Sequence, residues 1–294
     1  MKKIVSLILA VLMLACVLTG CANNDPAPAE TPAASEEPTT IRVGAMTGPT
    51  AMGMVKLMDE SDKGESANKY EFSLQTEATA FAPALTKGEI DIAAVPANLA
   101  SVIYNNTNGG IKVLAVNATG VLYIVERGNS ISSFADLAGK KLYATGEGAT
   151  PEFALRYLLK ANGLDGDNAL TIQWCADTTE ALSYISNDEN AVAMLPQPFV
   201  TAAQTKVEGL NVALNLNEEW QKVNDGASMA TGVIVVRTEF AEKYPQQLEK
   251  FMQEYAESVK FVNENTEQAA ELIGNYEIVK APIALKALPY CNIC

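Results

Sequence analysis

The chain has 294 residues, 48% hydrophobic and 19% charged, enough for a sizeable core and for one or two domains. It contains no histidine. That excludes Ser-His-Asp and Cys-His catalysis and removes the commonest general base and transition-metal ligand. The formal charge of −14 makes it a poor nucleic-acid binder, and the acidity reads as solubility.

Met1-Lys2-Lys3 is a basic start, and Ile4 to Leu18 is apolar. Residues 1–20 therefore read as a secretory signal peptide, since a spanning helix needs roughly 20 apolar residues. Leu18-Thr19-Gly20-Cys21 resembles the lipobox of bacterial lipoproteins. The resemblance implies cleavage before Cys21, a lipid anchor on its sulfur, and a position on the outer face of the cell membrane. Residues 21–40 carry Pro26, Pro28, Pro32 and Pro38 among small and polar residues, an extended tether with no core of its own.

Folded patterning starts at Ile41. Predicted strands are 41–46, 70–76, 90–95, 111–118, 120–126, 140–144, 170–174, 191–195, 210–215 and 231–237. Predicted helices are 51–60, 80–87, 97–104, 133–137, 151–162, 178–186, 197–205, 239–243, 246–264 and 266–274. The alternation argues for an α/β fold with mainly parallel sheets covered by helices. Only Asn117-Ala118-Thr119-Gly120 separates two strand patterns, which reads as a crossing between lobes, with Thr231-Gly232 as the return. This gives a first lobe over 41–118, a second over 119–232, and a return over 233–294. In the return, Phe251, Tyr255, Val259 and Val262 fall near one helix face and should pack on the first lobe. No helix is expected after residue 287.

The loop Thr145-Gly146-Glu147-Gly148-Ala149-Thr150-Pro151-Glu152 lies between a strand pattern and a helix pattern. Its glycines allow positive φ. Thr150 fits an N-cap, Pro151 the first helical position, and Glu152 the first turn. Such a loop aims backbone N–H groups and a helix's positive end at one spot. Upstream, Thr47-Gly48-Pro49-Thr50-Ala51-Met52-Gly53 does the same. Pro96 follows Gly48 at the spacing at which Pro196 follows Gly148. Two matched units suggest two lobes facing one cleft, with ligand beyond the carboxyl ends of the strands.

At Gly48 to Met58, Gly88-Glu89-Ile90-Asp91-Ile92-Ala93 and Gly146 to Leu155, the sequence resembles the substrate-binding lipoproteins of ABC importers. The nearest group includes nitrate, sulfonate, taurine and thiamine-precursor binding proteins. The resemblance implies a two-lobed periplasmic-binding-protein-like fold of type II, with two crossings between lobes. It also implies a monomer, not an enzyme, without cofactor or metal, that closes on a small-molecule ligand and docks on a membrane permease. Binding would then use Thr47, Gly48, Pro49, Thr50, Ala51 and Met52; Pro96, Ala97 and Asn98; Gly148, Ala149, Thr150, Pro151 and Glu152; and Gln197. Members of the group run past this C-terminus, which implies that the chain is cut short.

These loops hold Thr47, Thr50, Asn98, Thr150 and Gln197 as donors and no Lys or Arg, while Glu152 adds a negative charge. A bare inorganic anion is therefore disfavoured, and a neutral, zwitterionic or cationic ligand fits better. Tyr123, Phe153 and Phe199 are close enough in sequence to stack on a ring, or else belong to the core. Cys291-x-x-Cys294 lacks the second pair of ligands that zinc needs, and is either a local disulfide or an unpaired set with Cys291 buried. Cys175 reads as core. Gly146-x-Gly148 lacks the third glycine of a dinucleotide fingerprint. Two other readings are a lipoprotein that presents its ligand to a membrane receptor, and a catalyst on the same fold.

Overall fold

The computed structural model describes residues 39–166 and 169–294. The expected signal peptide, the anchor at Cys21 and the tether as far as Pro38 lie outside the described residues. The chain runs β1 (Thr40–Met46), α1 (Pro49–Met52), α2 (Val55–Lys63), β2 (Lys69–Gln75), α3 (Phe81–Lys87), β3 (Ile92–Pro96), α4 (Ala97–Asn106), β4 (Ile111–Thr119) and β5 (Leu122–Glu126). It continues β6 (Lys141–Thr145), α5 (Thr150–Ala161), β7 (Thr171–Cys175), α6 (Thr178–Asn187), β8 (Val192–Pro196), α7 (Phe199–Gln204), β9 (Asn211–Asn215) and α8 (Leu216–Lys222). It ends with β10 (Ala230–Arg237), α9 (Thr238–Lys243), α10 (Pro245–Glu264), α11 (Thr266–Asn275) and α12 (Ala281–Ala287).

Two five-stranded sheets share one plan. Their orders are β2-β1-β3-β10-β4 and β7-β6-β8-β5-β9. In each, the first three strands are parallel and the last two join antiparallel. Four strands of each sheet therefore run the same way, as expected of mainly parallel sheets, and one strand, β10 or β5, runs against them. The reversed strands, β5 and β10, are the ones by which the chain enters one sheet from the other.

Strand alternation builds a core on each face. In the first sheet, Ile41, Val43, Ile92 and Ala94 meet Leu57 of α2 and Phe251 and Tyr255 of α10. Ala93, Val95, Val233 and Val235 meet Phe81, Leu85 and Ile103. In the second sheet, Ile124, Leu142 and Met194 meet Leu155 and Leu158 of α5, while Val125, Ala193 and Leu195 meet Ile185 and Val200. Burying Phe81 or Phe251 contributes about 2–3 kcal/mol each. Asp91, from the Gly-Glu-Ile-Asp-Ile-Ala run, is buried. It accepts from Arg42 at 2.6 and 2.8 Å and from Arg237 at 3.2 Å, tying β1, β3 and β10 together.

The sheets are joined through Gly120-Val121 between β4 and β5, and through the segment between α8 and β10. Gly120 has φ 49°, and the Asn217 side chain fills the space a Cβ would need, so glycine suits this crossing. Thr231 and Gly232 lie inside β10. The last residues cover the crossing: Ile293 bridges Ala118, and the Thr119 N–H donates to the Asn292 carbonyl at 3.1 Å.

Several local expectations change. The helix expected over 51–60 breaks at Gly53-Met54 into α1 and α2. Residues 134–137 form a single 3₁₀ turn. Helices α8 and α12 appear where none was expected. The helix expected from 197 starts at Phe199. Ala149, not Thr150, caps α5; Thr150 is its first residue and Pro151 its second. Among the described residues no helix is long and apolar enough to cross a membrane.

Candidate functional site

Strands β1, β3, β6 and β8 end at Met46, Pro96, Thr145 and Pro196. A cavity of about 240 Å³ opens beyond those carboxyl ends, walled by residues of both sheets. From the first sheet's side come Met46, Thr47, Gly48, Pro49, Thr50 and Pro96, with Ala118 and Thr231 from the crossing strands. From the second come Val121, Leu122, Gly146, Ala149, Thr150, Pro151, Pro196, Gln197, Pro198 and Phe199.

Of the residues expected at the site, the structure gathers Thr47, Gly48, Pro49, Thr50, Pro96, Ala149, Thr150, Pro151 and Gln197 around this cavity. Ala51, Met52, Ala97, Asn98, Gly148 and Glu152 do not line it. Ala51 and Met52 are fully buried in the core instead. Phe199 faces the cavity. Tyr123 is core, and Phe153 is exposed rather than core. Sequence reasoning missed Val121 and Leu122, and it read Ala118 and Thr231 as crossing residues without placing them at the site. It also missed Pro198, although the matched prolines around Pro196 pointed to that loop.

The polar groups are held in specific ways. The Thr50 hydroxyl donates to the Met46 carbonyl at 2.6 Å. The Thr150 hydroxyl instead donates across the cavity's rim to Asn98 Oδ1 at 2.9 Å, and the Asn98 N–H donates back at 3.4 Å. That pair links the start of α4 to the start of α5, one on each sheet's side. Gln197 is buried; its Oε1 accepts from the Thr201 hydroxyl at 2.9 Å and the Thr201 N–H at 3.3 Å. Thr231 Oγ1 donates to the Ala118 carbonyl at 3.0 Å.

Glu152 bends away from the cavity. Its carboxylate accepts from the Gly148 N–H at 2.7 Å and from Arg156 Nε at 2.6 Å. The Gly148 bond first, then Arg156, lowers its pKa from the ordinary glutamate value. Burial pushes the Tyr123 hydroxyl up to about 12, and it donates to the Tyr290 carbonyl at 2.9 Å. Cys175, Cys291 and Cys294 are free thiols. Burial pushes Cys291 up to about 12.

The lining contains no titratable side chain. Hydroxyls, one carboxamide and backbone are its only polar chemistry. Such an arrangement can enclose and orient a small molecule, and it offers no acid, base or nucleophile beyond threonine hydroxyls.

Solved structures share this fold. One is an ABC transporter protein from Parabacteroides distasonis, 22% identical, with a TM-score of 0.70, covering 87% of this chain and 85% of that one. Another is the periplasmic aliphatic sulphonate binding protein SsuA from Escherichia coli, 18% identical, TM-score 0.70, covering 88% and 86%. A third is the zinc-bound ligand binding component of an ABC-type import system from Staphylococcus aureus, 15% identical, TM-score 0.66, covering 85% and 83%. Among curated proteins, none matches the chain in sequence. A family model described as NMT1/THI5 like matches residues 110–269, more than half of the chain, and the chain belongs to that family.

Proposed function

We propose that this NMT1/THI5-like protein is the substrate-binding component of an ABC-type importer. It captures a small molecule between two lobes, 41–118 with 233–294 and 119–232, and delivers it to a membrane permease. The observation that carries this is the cavity at the carboxyl ends of β1, β3, β6 and β8, walled from both sheets and bridged at its rim by Thr150 and Asn98. The fold neighbours described as import-system proteins support the same reading. A lining without titratable groups favours binding over catalysis. One polypeptide supplies both walls, so a monomer suffices. The anchor at Cys21 would hold the protein on the outer face of the membrane, and the residues up to 40 would let the folded body reach the permease.

The test is native mass spectrometry of the full chain purified from the cells that make it. A small-molecule adduct that disappears when Ala118→Trp fills the cavity is the expected result. A bare protein mass, with nothing released on denaturation, would refute capture. Fatty-acid labelling of the wild type that is absent from Cys21→Ser tests the anchor, and equal labelling of both would rule it out.

A further inference from the structure

We propose that the cleft selects an uncharged ligand, a compact apolar body carrying a hydrogen-bond acceptor for Gln197. This rests on the importer reading above and narrows it to one ligand class.

The first observation is where the prolines fall. Helix starts attract anions because their first N–H groups are unbonded and carry partial positive charge. Four helices begin at this cleft, and a proline that lines the cavity stands just before each helix or within its first two residues. Pro49 opens α1, Pro151 is the second residue of α5, Pro96 precedes α4, and Pro198 precedes α7. Pro49 and Pro151 lack the N–H altogether. Three further N–H donors around the cleft are engaged within the protein. The Asn98 N–H meets Thr150 Oγ1 at 3.4 Å, the Thr201 N–H meets Gln197 Oε1 at 3.3 Å, and the Gly148 N–H meets Glu152 at 2.7 Å. Pyrrolidine rings thus take the place of two first-turn donors, at Pro49 and Pro151, and crowd the starts of the other two helices.

The second observation is charge. No Lys, Arg, Asp or Glu lines the cavity. The carboxylate of Glu152, in the loop that lines the cavity, is committed to Arg156 and Gly148. An anion or a cation entering here would lose its hydration without meeting a countercharge.

The third observation is Gln197, 3% exposed and at the cavity wall. A backbone N–H can only donate, so the Thr201 N–H fixes which end of the amide is Oε1. Nε2 is then the free end, and it makes no bond to the described residues. A donor without a protein partner gains a hydrogen bond from an acceptor that arrives with the ligand. At about 240 Å³, the cavity holds roughly eight water volumes and suits only a small molecule.

Three probes of one size and shape test the class: methyl phenyl sulfone, benzenesulfonate and phenyltrimethylammonium. They are uncharged, anionic and cationic versions of one ring with a compact head. Titration calorimetry on protein stripped of captured ligand should show the sulfone binding at least tenfold tighter than either ion, with little change between low and high salt. Gln197→Met should weaken the sulfone roughly threefold to tenfold, the loss of one hydrogen bond. A charged probe binding as tightly as the sulfone overturns the inference and leaves the importer reading standing. No binding by any probe also overturns it, because an apolar uncharged cavity of this size should accept the sulfone. The importer reading fails separately, only if the native mass spectrum shows no captured molecule.

Discussion

In the loop after β1, Thr50 turns its hydroxyl onto its own strand, 2.6 Å from the Met46 carbonyl; in the loop after β6, Thr150 turns its hydroxyl across the rim of the cavity, 2.9 Å from Asn98. Both loops carry a glycine at positive φ, a proline at the helix start and a threonine beside it. The difference comes from the helix that each loop opens. Helix α1 has four residues, and its Ala51 and Met52 are driven into two hydrophobic cores, so the loop before it is a fixed wall. Helix α5 has twelve residues, buries its own face through Leu155 and Leu158, and leaves its first residue free to reach outward. One loop shapes the cavity, and the other carries a contact that bridges its rim.

The largest expected effects separate the glycines. A Cβ on Gly146 would stand 2.6 Å from Pro151 Cγ, at φ 86°. Gly146→Ala should cost about 3 kcal/mol, from backbone strain and overpacking together. Gly148 has φ 73° but open space around it, so Gly148→Ala should cost about 1 kcal/mol and leave binding intact. Gly48, at φ 113° and ψ −157°, occupies a region almost reserved for glycine, and Gly48→Ala should cost about 2 kcal/mol through the backbone alone. Urea denaturation ranks the three. Equal losses at Gly146 and Gly148 would mean that the contact with Pro151 does not matter.

The threonines come next. Thr50→Val and Thr150→Val each remove a hydroxyl bond worth about 1 kcal/mol. Only Thr150→Val should also open the cleft. Small-angle scattering of ligand-free protein should show a larger radius of gyration for Thr150→Val and an unchanged one for Thr50→Val. An increase in both, or in neither, would break the distinction between wall and latch.

The smallest effect is on pH. Glu152 has its folded pKa lowered by the Gly148 N–H and Arg156. Its contribution is therefore complete above the unfolded value of about 4.3 and is lost as pH falls through the lowered folded value. Exchange of the Gly148 amide, corrected for the intrinsic rate, should rise over that acidic window. Residues 47–53 contain no titratable side chain and should not respond. A parallel rise in both loops would point to general acid loosening.

Much of this was legible in the sequence. Alternation and glycine loops gave the two-sheet α/β fold, and the repeated proline spacing pointed to the loops that meet at the cavity. What escaped depended on tertiary contacts. Thr150 looks like a helix cap, yet Pro151 at the second position and Asn98 from the other side move it to a bridging role. Glu152 looks free to face a ligand, but Gly148 and Arg156, both four residues away in sequence, capture it. The antiparallel strands β5 and β10 read like the others because burial, not pairing direction, sets their pattern. Helices α8 and α12 are seven residues each, too short for a clear period.

If one molecule sits among the prolines of both loops, a crystal structure of the protein purified with its captured ligand will show it there. Density should lie between Pro49, Pro96 and Pro151, with an acceptor atom facing Gln197 Nε2 and the Thr150–Asn98 bond intact at the rim. A ligand bound elsewhere, or a cleft empty of any molecule, would refute the placement.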